Sequence, residues 1–162
     1  MHSDLVIAAD GVNSIIRKRM AFASGSTDRL LPTAQLAYRF VLPRNLAERD
    51  PALIAALDKN QGMRYMGPGG HVMAYPLRNN TLYNVVLLRE TDGDDRSKGT
   101  SWTTRVRKEE AFEHYRDWCP LVQNLIRSAP SSEILMTPMS DMPPLPTWVM
   151  GQVALVGDSC RK

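Results

Sequence analysis

The sequence is short of the residues that build metal centres and covalent cross-links. It holds two cysteines, Cys119 and Cys160, and three histidines in 162 residues. They are scattered, with none of the close pairing that zinc ligands require, so no metal is expected. One disulfide could close at most, and nothing else in the composition suits secretion; a reducing, cytoplasmic setting is the expectation. No apolar run approaches the ~20 residues that cross a bilayer, and the start carries no signal-peptide core. A soluble protein with no membrane partner is expected. Charge of one sign is also scarce: 20 Lys and Arg against 17 Asp and Glu leave a net +3. Arg17-Lys18-Arg19 is the one tight basic triplet, and it reads as a solvated helix face. No nucleic-acid partner is expected, because that would want a broader basic stripe. The sequence leaves the oligomeric state open.

Against these absences stand two short apolar runs, one near each end. Asp4-Leu5-Val6-Ile7-Ala8-Ala9-Asp10-Gly11 stops in Asp-Gly and is followed by a helix-like segment from Val12 to about Phe22. Val153-Ala154-Leu155-Val156-Gly157-Asp158-Ser159 has the same design. Neither run alternates, which predicts strands buried on both faces of a parallel sheet. Each puts an aspartate at the carboxyl end of its strand, the edge where open α/β sheets bind ligands. In the helix, Ile15, Ile16 and Met20 form the expected apolar stripe, with Asn13 or Ser14 as N-cap.

Between the runs the period changes to two. Ala34, Leu36, Tyr38 and Phe40 share one face of a strand, and Gln35, Ala37 and Arg39 the other. A short helix over residues 46–57 follows, with Pro51 as a point of breakage. Strands are expected over 63–66, 71–77 and 81–89, the last two joined through Arg78-Asn79-Asn80, which tolerates a tight hairpin. Residues 90–99 read as an acidic loop, 108–118 and 120–126 as helices, and 132–136 as a further strand. Met142-Pro143-Pro144-Leu145-Pro146 reads as an extended connector into a terminal hairpin. The fold class is α/β plus α+β, with an FAD-domain-like segment at 1–28, an inserted mixed β-sheet domain at 29–146, and a return at 147–162.

A strand-end carboxylate can accept hydrogen bonds from ribose or ribityl hydroxyls, and the amides of the helix start behind it can face phosphate. Asp10 and Asp158 fit that chemistry. Asp10-Gly11-Val12-Asn13-Ser14-Ile15-Ile16-Arg17 resembles the DG fingerprint of class A FAD-dependent aromatic monooxygenases. Residues 148–159 resemble their GD fingerprint. Within that family, Gln35-Leu36-Ala37-Tyr38-Arg39 and Gly69-Gly70-His71-Val72-Met73-Ala74-Tyr75-Pro76-Leu77 are similar to the sheet strands of salicylate-hydroxylase-like enzymes. The resemblance implies a fragment of an FAD/NAD(P)-binding (GR2-type) fold with an inserted substrate domain. It further implies FAD as cofactor and NAD(P)H as reductant. Asp158 would bond the ribityl chain, with Gly157 giving close approach, and Asp10, Gly11 and Arg17 would serve the FAD pyrophosphate and the reductant. The inserted sheet would cover a small aromatic substrate, with His71 and Tyr75 as catalytic and substrate-binding residues and Arg39 as partner of a substrate carboxylate.

The sequence departs from that family's pattern in one chemical respect above all. It has no G-x-G-x-x-G loop; Gly67-Pro68-Gly69-Gly70 lies between two strands and opens no helix. The residues after Gly157-Asp158 also differ, with Arg161 where the family carries histidine. The 162-residue chain by itself is therefore expected to show little or no monooxygenase activity. The alternative is a non-catalytic fragment or binding module without flavin chemistry. Gly157-Asp158-Ser159 also has the letters of an esterase nucleophile block. A serine nucleophile needs a histidine base and an orienting acid, and that order of residues is lacking.

Overall fold

The structure is a computed structural model, and it describes residues 3–29, 31–91 and 103–160. It divides into two compact units, Met1–Thr33 with Ser140–Lys162, and Ala34–Met139.

The first unit holds the two terminal runs. Strand β1, Val6–Ala8, is followed by helix α1, Ile15–Ala23. Ser14 caps α1, its Oγ accepting from the Arg17 amide at 2.9 Å. Near the other terminus lie the short strands β8, Val149–Met150, and β9, Val153–Leu155, then a 3-10 turn at Gly157–Ser159. β9 pairs parallel with β1, Ala8 opposite Leu155, and antiparallel with β8. Both aspartates therefore follow strands that end at the same edge. The first run is not buried on both faces as expected: Leu5, Val6 and Ile7 are 57%, 39% and 61% exposed. The core of this unit is small, with Ala8, Met20 and Leu155 packed by Ile16, Leu145, Met150 and Val153. The helix stripe also differs from expectation. Ile15 is exposed, and Arg17 is buried in its place beside Met20 and Ala21.

The second unit is built on a six-stranded sheet of order β3-β4-β5-β2-β7-β6. Its strands are β2 (Leu31–Pro43), β3 (Met63–Gly67), β4 (Gly70–Leu77), β5 (Leu82–Glu90), β6 (Thr104–Arg107) and β7 (Glu133–Asp141). Strands β3, β4, β5 and β2 run antiparallel in turn. β4 and β5 are joined through Arg78, Asn79 and Asn80, all three with positive φ. Helices α2 (Arg44–Ala47), α3 (Pro51–Leu57), α4 (Lys108–Tyr115) and α5 (Pro120–Arg127) complete the unit. The break at Pro51 arises because proline at the first turn needs no amide partner, while Asp50 caps the Ala52 and Leu53 amides. Most of the expected 90–99 loop lies outside the described residues.

Alternation decides which sheet face the helices cover. Leu36, Tyr38, Phe40 and Leu42 of β2, Val72 and Ala74 of β4, and Tyr83, Val85 and Leu87 of β5 are buried. They form one core with Leu53, Leu57, Ala111, Tyr115, Val122, Leu125 and Ile126 from the helices. Trp118 stands edge-on to Tyr115 at 5.0 Å between centroids. On the opposite sheet face Arg39, Met73 and Tyr75 are exposed.

Candidate functional site

Two places carry the residues singled out by the sequence, one in each unit. The first is the carboxyl edge of the β1–β9 pair. Gly11 and Gly157 there have φ of +79° and +64°, a region that strongly favours glycine. A Cβ built on either would meet no atom within 4 Å, so the space above both is open. Asp158 is exposed, and its carboxylate makes no hydrogen bond or ion pair to a described residue. Asp10 is used differently. Its Oδ2 accepts from the Ile15 amide at 2.9 Å, and the Ser14 side chain, then the backbone amides around it, hold its carboxyl below the usual range. The carboxylate thus braces the start of α1.

Arg17 is the residue that sequence reasoning placed least well in space. Its side chain is 1% exposed and pairs with Asp28, itself 8% exposed, at 2.9 Å. The same guanidinium donates to the carbonyls of Val12, Asp158 and Ser159. Every arm of the planar fork meets an acceptor, a geometry lysine cannot reproduce. Ser159, also buried, donates from Oγ to Val156 O at 2.6 Å and accepts from the Val156 amide at 3.1 Å. The turn carrying Gly157 and Asp158 is therefore held from behind by Arg17 and Ser159, while Asp158 faces solvent.

The second place is the open face of the six-stranded sheet. Pairing registers lay its side chains out in three cross-strand rows. Met66, His71, Leu88 and Ala37 form one row across β3, β4, β5 and β2. Arg64, Met73, Val86 and Arg39 form the next, and Tyr75, Asn84 and Val41 the third. Arg39, His71 and Tyr75 thus share one face, as alternation requires. They do not share one groove. His71 lines a groove of about 250 Å³ with Gln35, Met66, Leu88 and Glu90. Arg39 lines another of about 360 Å³ with Val41, Asn84, Arg105, Glu133 and Leu135. Tyr75 lines neither.

Five large apolar side chains are exposed on this face: Met66, Met73, Tyr75, Val41 and Leu135 are 69%, 36%, 38%, 41% and 40% exposed. Large exposed apolar patches can mark binding surfaces. Neither Arg39 nor Arg105 has a hydrogen bond or ion pair to a described residue. Burial, and then the nearby Arg64 guanidinium, push the His71 imidazole below its ordinary value, which keeps it neutral at pH 7. A neutral imidazole both donates and accepts.

Comparison with known proteins places this geometry. A family model described as an FAD binding domain matches residues 1–162. The chain belongs to this family. Among curated members, an FAD-dependent monooxygenase of Nectria sp. is 39% identical over 161 residues, 99% of this chain and 37% of that protein. An FAD-dependent monooxygenase of Arthrinium sp. is 41% identical over 158 residues, 98% of this chain and 36% of that protein. Among solved structures, a salicylate hydroxylase substrate complex superposes with a TM-score of 0.78 at 27% identity, over 98% of this chain and 40% of that one. The chain thus spans somewhat more than a third of the length of the curated relatives it matches.

The residues at the β1–β9 edge fit the cofactor of this FAD-binding family in part. Gly11 and Gly157 leave room for it, and Asp158 offers a free acceptor for hydroxyl groups. Arg17 is already committed inside the protein, and Asp10, though exposed, spends Oδ2 on the Ile15 amide. Two features escaped the sequence: the Arg17–Asp28 pair and the second arginine, Arg105, in the Arg39 groove. Only β6, Thr104–Arg107, could have signalled Arg105, and its three polar residues in four hide the strand.

Proposed function

We propose that this chain is the central part of an FAD-dependent monooxygenase that hydroxylates a small aromatic ring, with NAD(P)H as reductant. The observation that carries the reading is the open sheet face, on which Arg39, His71 and Tyr75 stand among exposed apolar side chains. Bound FAD would supply the oxygen-activating chemistry, which no amino-acid side chain can. Asp158 would accept hydrogen bonds from the ribityl hydroxyls, and Gly11 and Gly157 would admit the cofactor backbone. On the sheet, Met73 and Val86 would form an apolar floor under the ring and exclude water from it. His71, neutral, would accept a proton or hydrogen bond from a ring hydroxyl, and Tyr75 would donate to a ring oxygen. Arg39 would pair with an anionic substituent at the far end of the floor. The two thiols, both free, suit a cytoplasmic location.

The isolated 162-residue polypeptide is expected to bind FAD weakly, since its sequence has no glycine-rich phosphate loop. In the flavin-loaded protein, His71→Gln and Tyr75→Phe should each raise the KM for an aromatic substrate or uncouple NAD(P)H oxidation from hydroxylation. Unchanged kinetics and unchanged coupling in both variants would remove the open face from the site.

A further inference from the structure

A cavity of about 700 Å³ runs along β3, lined by residues 64–68 on one side and by the turn between α4 and α5, with Asp117, Trp118 and Cys119, on the other. Alternation sends Arg64 and Met66 to one sheet face and Tyr65 and Gly67 to the other. A space that touches all four therefore lies beside the strand's backbone, not over either face. β3 is the last strand of the sheet order, and among the described residues no strand pairs with its outer side. The Glu90 amide donates to the Gly69 carbonyl at 2.7 Å, so Gly69 faces β5. Alternation then turns the backbone groups of Gly70, Val72 and Ala74 toward Gly67, Tyr65 and Met63 of β3. The N–H and C=O groups of Arg64 and Met66 are left facing outward, on the cavity side. Edge strands are ordinarily protected by proline, lysine or a bulge. β3 has no proline or lysine, and its register with β4 is unbroken. Its one charge, Arg64, is exposed and has no hydrogen bond or ion pair to a described residue. Asp117, the acidic group of the cavity, lies 3.7 Å from Arg116 instead. The Trp118 indole closes the space beneath the strand: a Cβ built on Gly67 would fall 2.8 Å from its ring.

We propose that the outer edge of β3 is a docking site for an extended peptide of another protein, one that alternates acidic and apolar residues and adds to the six-stranded sheet as a further strand. Strand addition draws its affinity from main-chain hydrogen bonds and its specificity from alternate side chains. Arg64 and Met66 offer the outward donors and acceptors. Side chains of the added strand alternate in step with those of β3. Every second one stands beside Arg64 and the 69%-exposed Met66, and the others face Tyr65 and Trp118. The first set is acidic, because Arg64 is the unbalanced charge there and opposite charges across strands attract. The second set is apolar and β-branched, which suits a half-buried pleated surface. A second copy of β3 carries no carboxylate to offer Arg64, so charge favours the peptide. The edge does not draw on Arg39, His71 or Tyr75, and the proposal is independent of the aromatic-ring reading.

The probe is the end-blocked peptide Thr-Val-Glu-Val-Glu-Val-Thr, with versions carrying Gln or Lys in place of both Glu, titrated into the 162-residue chain by NMR. The acidic peptide should shift the Arg64 and Met66 amides and slow their exchange. It should bind about two- to fivefold more tightly than the Gln version, the worth of one cross-strand charge pair. Arg64→Gln should erase that preference, and Arg64→Glu should turn it toward the Lys version. Met66→Pro removes an outward amide that β4 does not use, a substitution edge strands accept. It should weaken all three peptides by about fivefold or more while amide exchange in β4 and β5 stays as in wild type. Should Met66→Pro unfold the chain, the two Arg64 variants decide. No binding, shifts confined to other elements, or a folded Met66→Pro that binds like wild type would overturn the proposal. So would a preference for the acidic peptide that survives Arg64→Gln. If the Arg64 and Met66 amides are protected without peptide, and more so as the protein is concentrated, the occupant is a second copy and the peptide proposal falls.

Discussion

Replacing Arg17 with methionine should strongly destabilise the first unit, because the substitution removes the donor side of a buried cluster. Arg17 and Asp28 are 1% and 8% exposed and 2.9 Å apart. Removing one partner of such a pair leaves an uncompensated charge, a cost of about 3–5 kcal/mol. The carbonyls of Val12, Asp158 and Ser159 lose a donor at the same time. Their loss overlaps with the first cost and is not added to it, because neighbouring effects are not additive. Against a total stability of about 5–15 kcal/mol for a whole domain, this is a large fraction. Arg17→Lys should be intermediate, since an ammonium can reach Asp28 but not four acceptors in a plane. The double variant Arg17→Met with Asp28→Leu should recover most of the loss, as buried pairs replaced by apolar residues often do. Hydrogen exchange read by mass spectrometry over residues 15–23 and 153–160 is the assay, with urea unfolding alongside. Faster exchange in both segments of the single variant, restored in the double variant, is the expected result. A loss below about 1 kcal/mol, within the range of an ordinary surface change, would refute the clamp. So would normal exchange combined with reduced flavin affinity, which would return Arg17 to the cofactor.

Three further outcomes follow from named contacts. Asp158→Ala should weaken FAD binding to the flavin-loaded protein without lowering its apo stability, because the carboxylate has no partner inside the described residues; equal loss of both would contradict that role. Gly70→Ala should destabilise the second unit by about 2–3 kcal/mol, because the added methyl runs into the Leu88 carbonyl and backbone must shift; an unchanged urea midpoint would refute it. Asp50 should make the second unit acid-sensitive. The Leu53 amide, with Asn124 and the Ala52 amide, holds its carboxyl below the ordinary 3.8. A depressed folded value means that the stabilisation is present above 3.8 and is lost as pH falls through the lower folded value. Asp50→Asn should flatten the fall in urea midpoint between about pH 5 and 2; an identical slope would rule Asp50 out as a contributor.

The parts of this architecture that were legible in the sequence rest on local physics. Period-two alternation put Leu36, Tyr38 and Phe40 on one face and Arg39 on the other, and the same rule placed His71, Met73 and Tyr75 together; Ala37, on the Arg39 face, is nonetheless buried. Pro51 was read as a break in the helix over 46–57, and α3 starts there; of the two candidate caps, Asn13 and Ser14, the structure uses Ser14. What was not legible depends on partners remote in sequence. Arg17 follows two isoleucines and precedes two basic residues, so on a helical wheel it reads as solvated. Its acceptors at Asp158 and Ser159 lie 141 and 142 residues away, and no local pattern announces them. Asp10 likewise reads as a ligand acceptor, and its Oδ2 already accepts from the Ile15 amide of the helix that follows it. β6 was missed because Thr104-Arg105-Val106-Arg107 carries the polarity of an edge strand, and only pairing with β7 defines it. β7 itself runs on to Asp141, past the expected end at Met136, although Pro138 lies within it. Even the resemblance through Asp10, Gly11, Gly157 and Asp158 pointed to a cofactor edge without revealing which side chains were already spoken for.

On the proposed reading, the face of the six-stranded sheet that carries Arg39, His71 and Tyr75 receives the aromatic ring. Backbone chemical-shift mapping with 2-hydroxybenzoate on the 162-residue chain tests it most directly. Shifts are expected at Arg39, His71, Met73 and Tyr75, with the buried Val72, Ala74 and Val85 less affected. Shifts confined to helices α4 and α5, around Trp118 and Cys119, would contradict it.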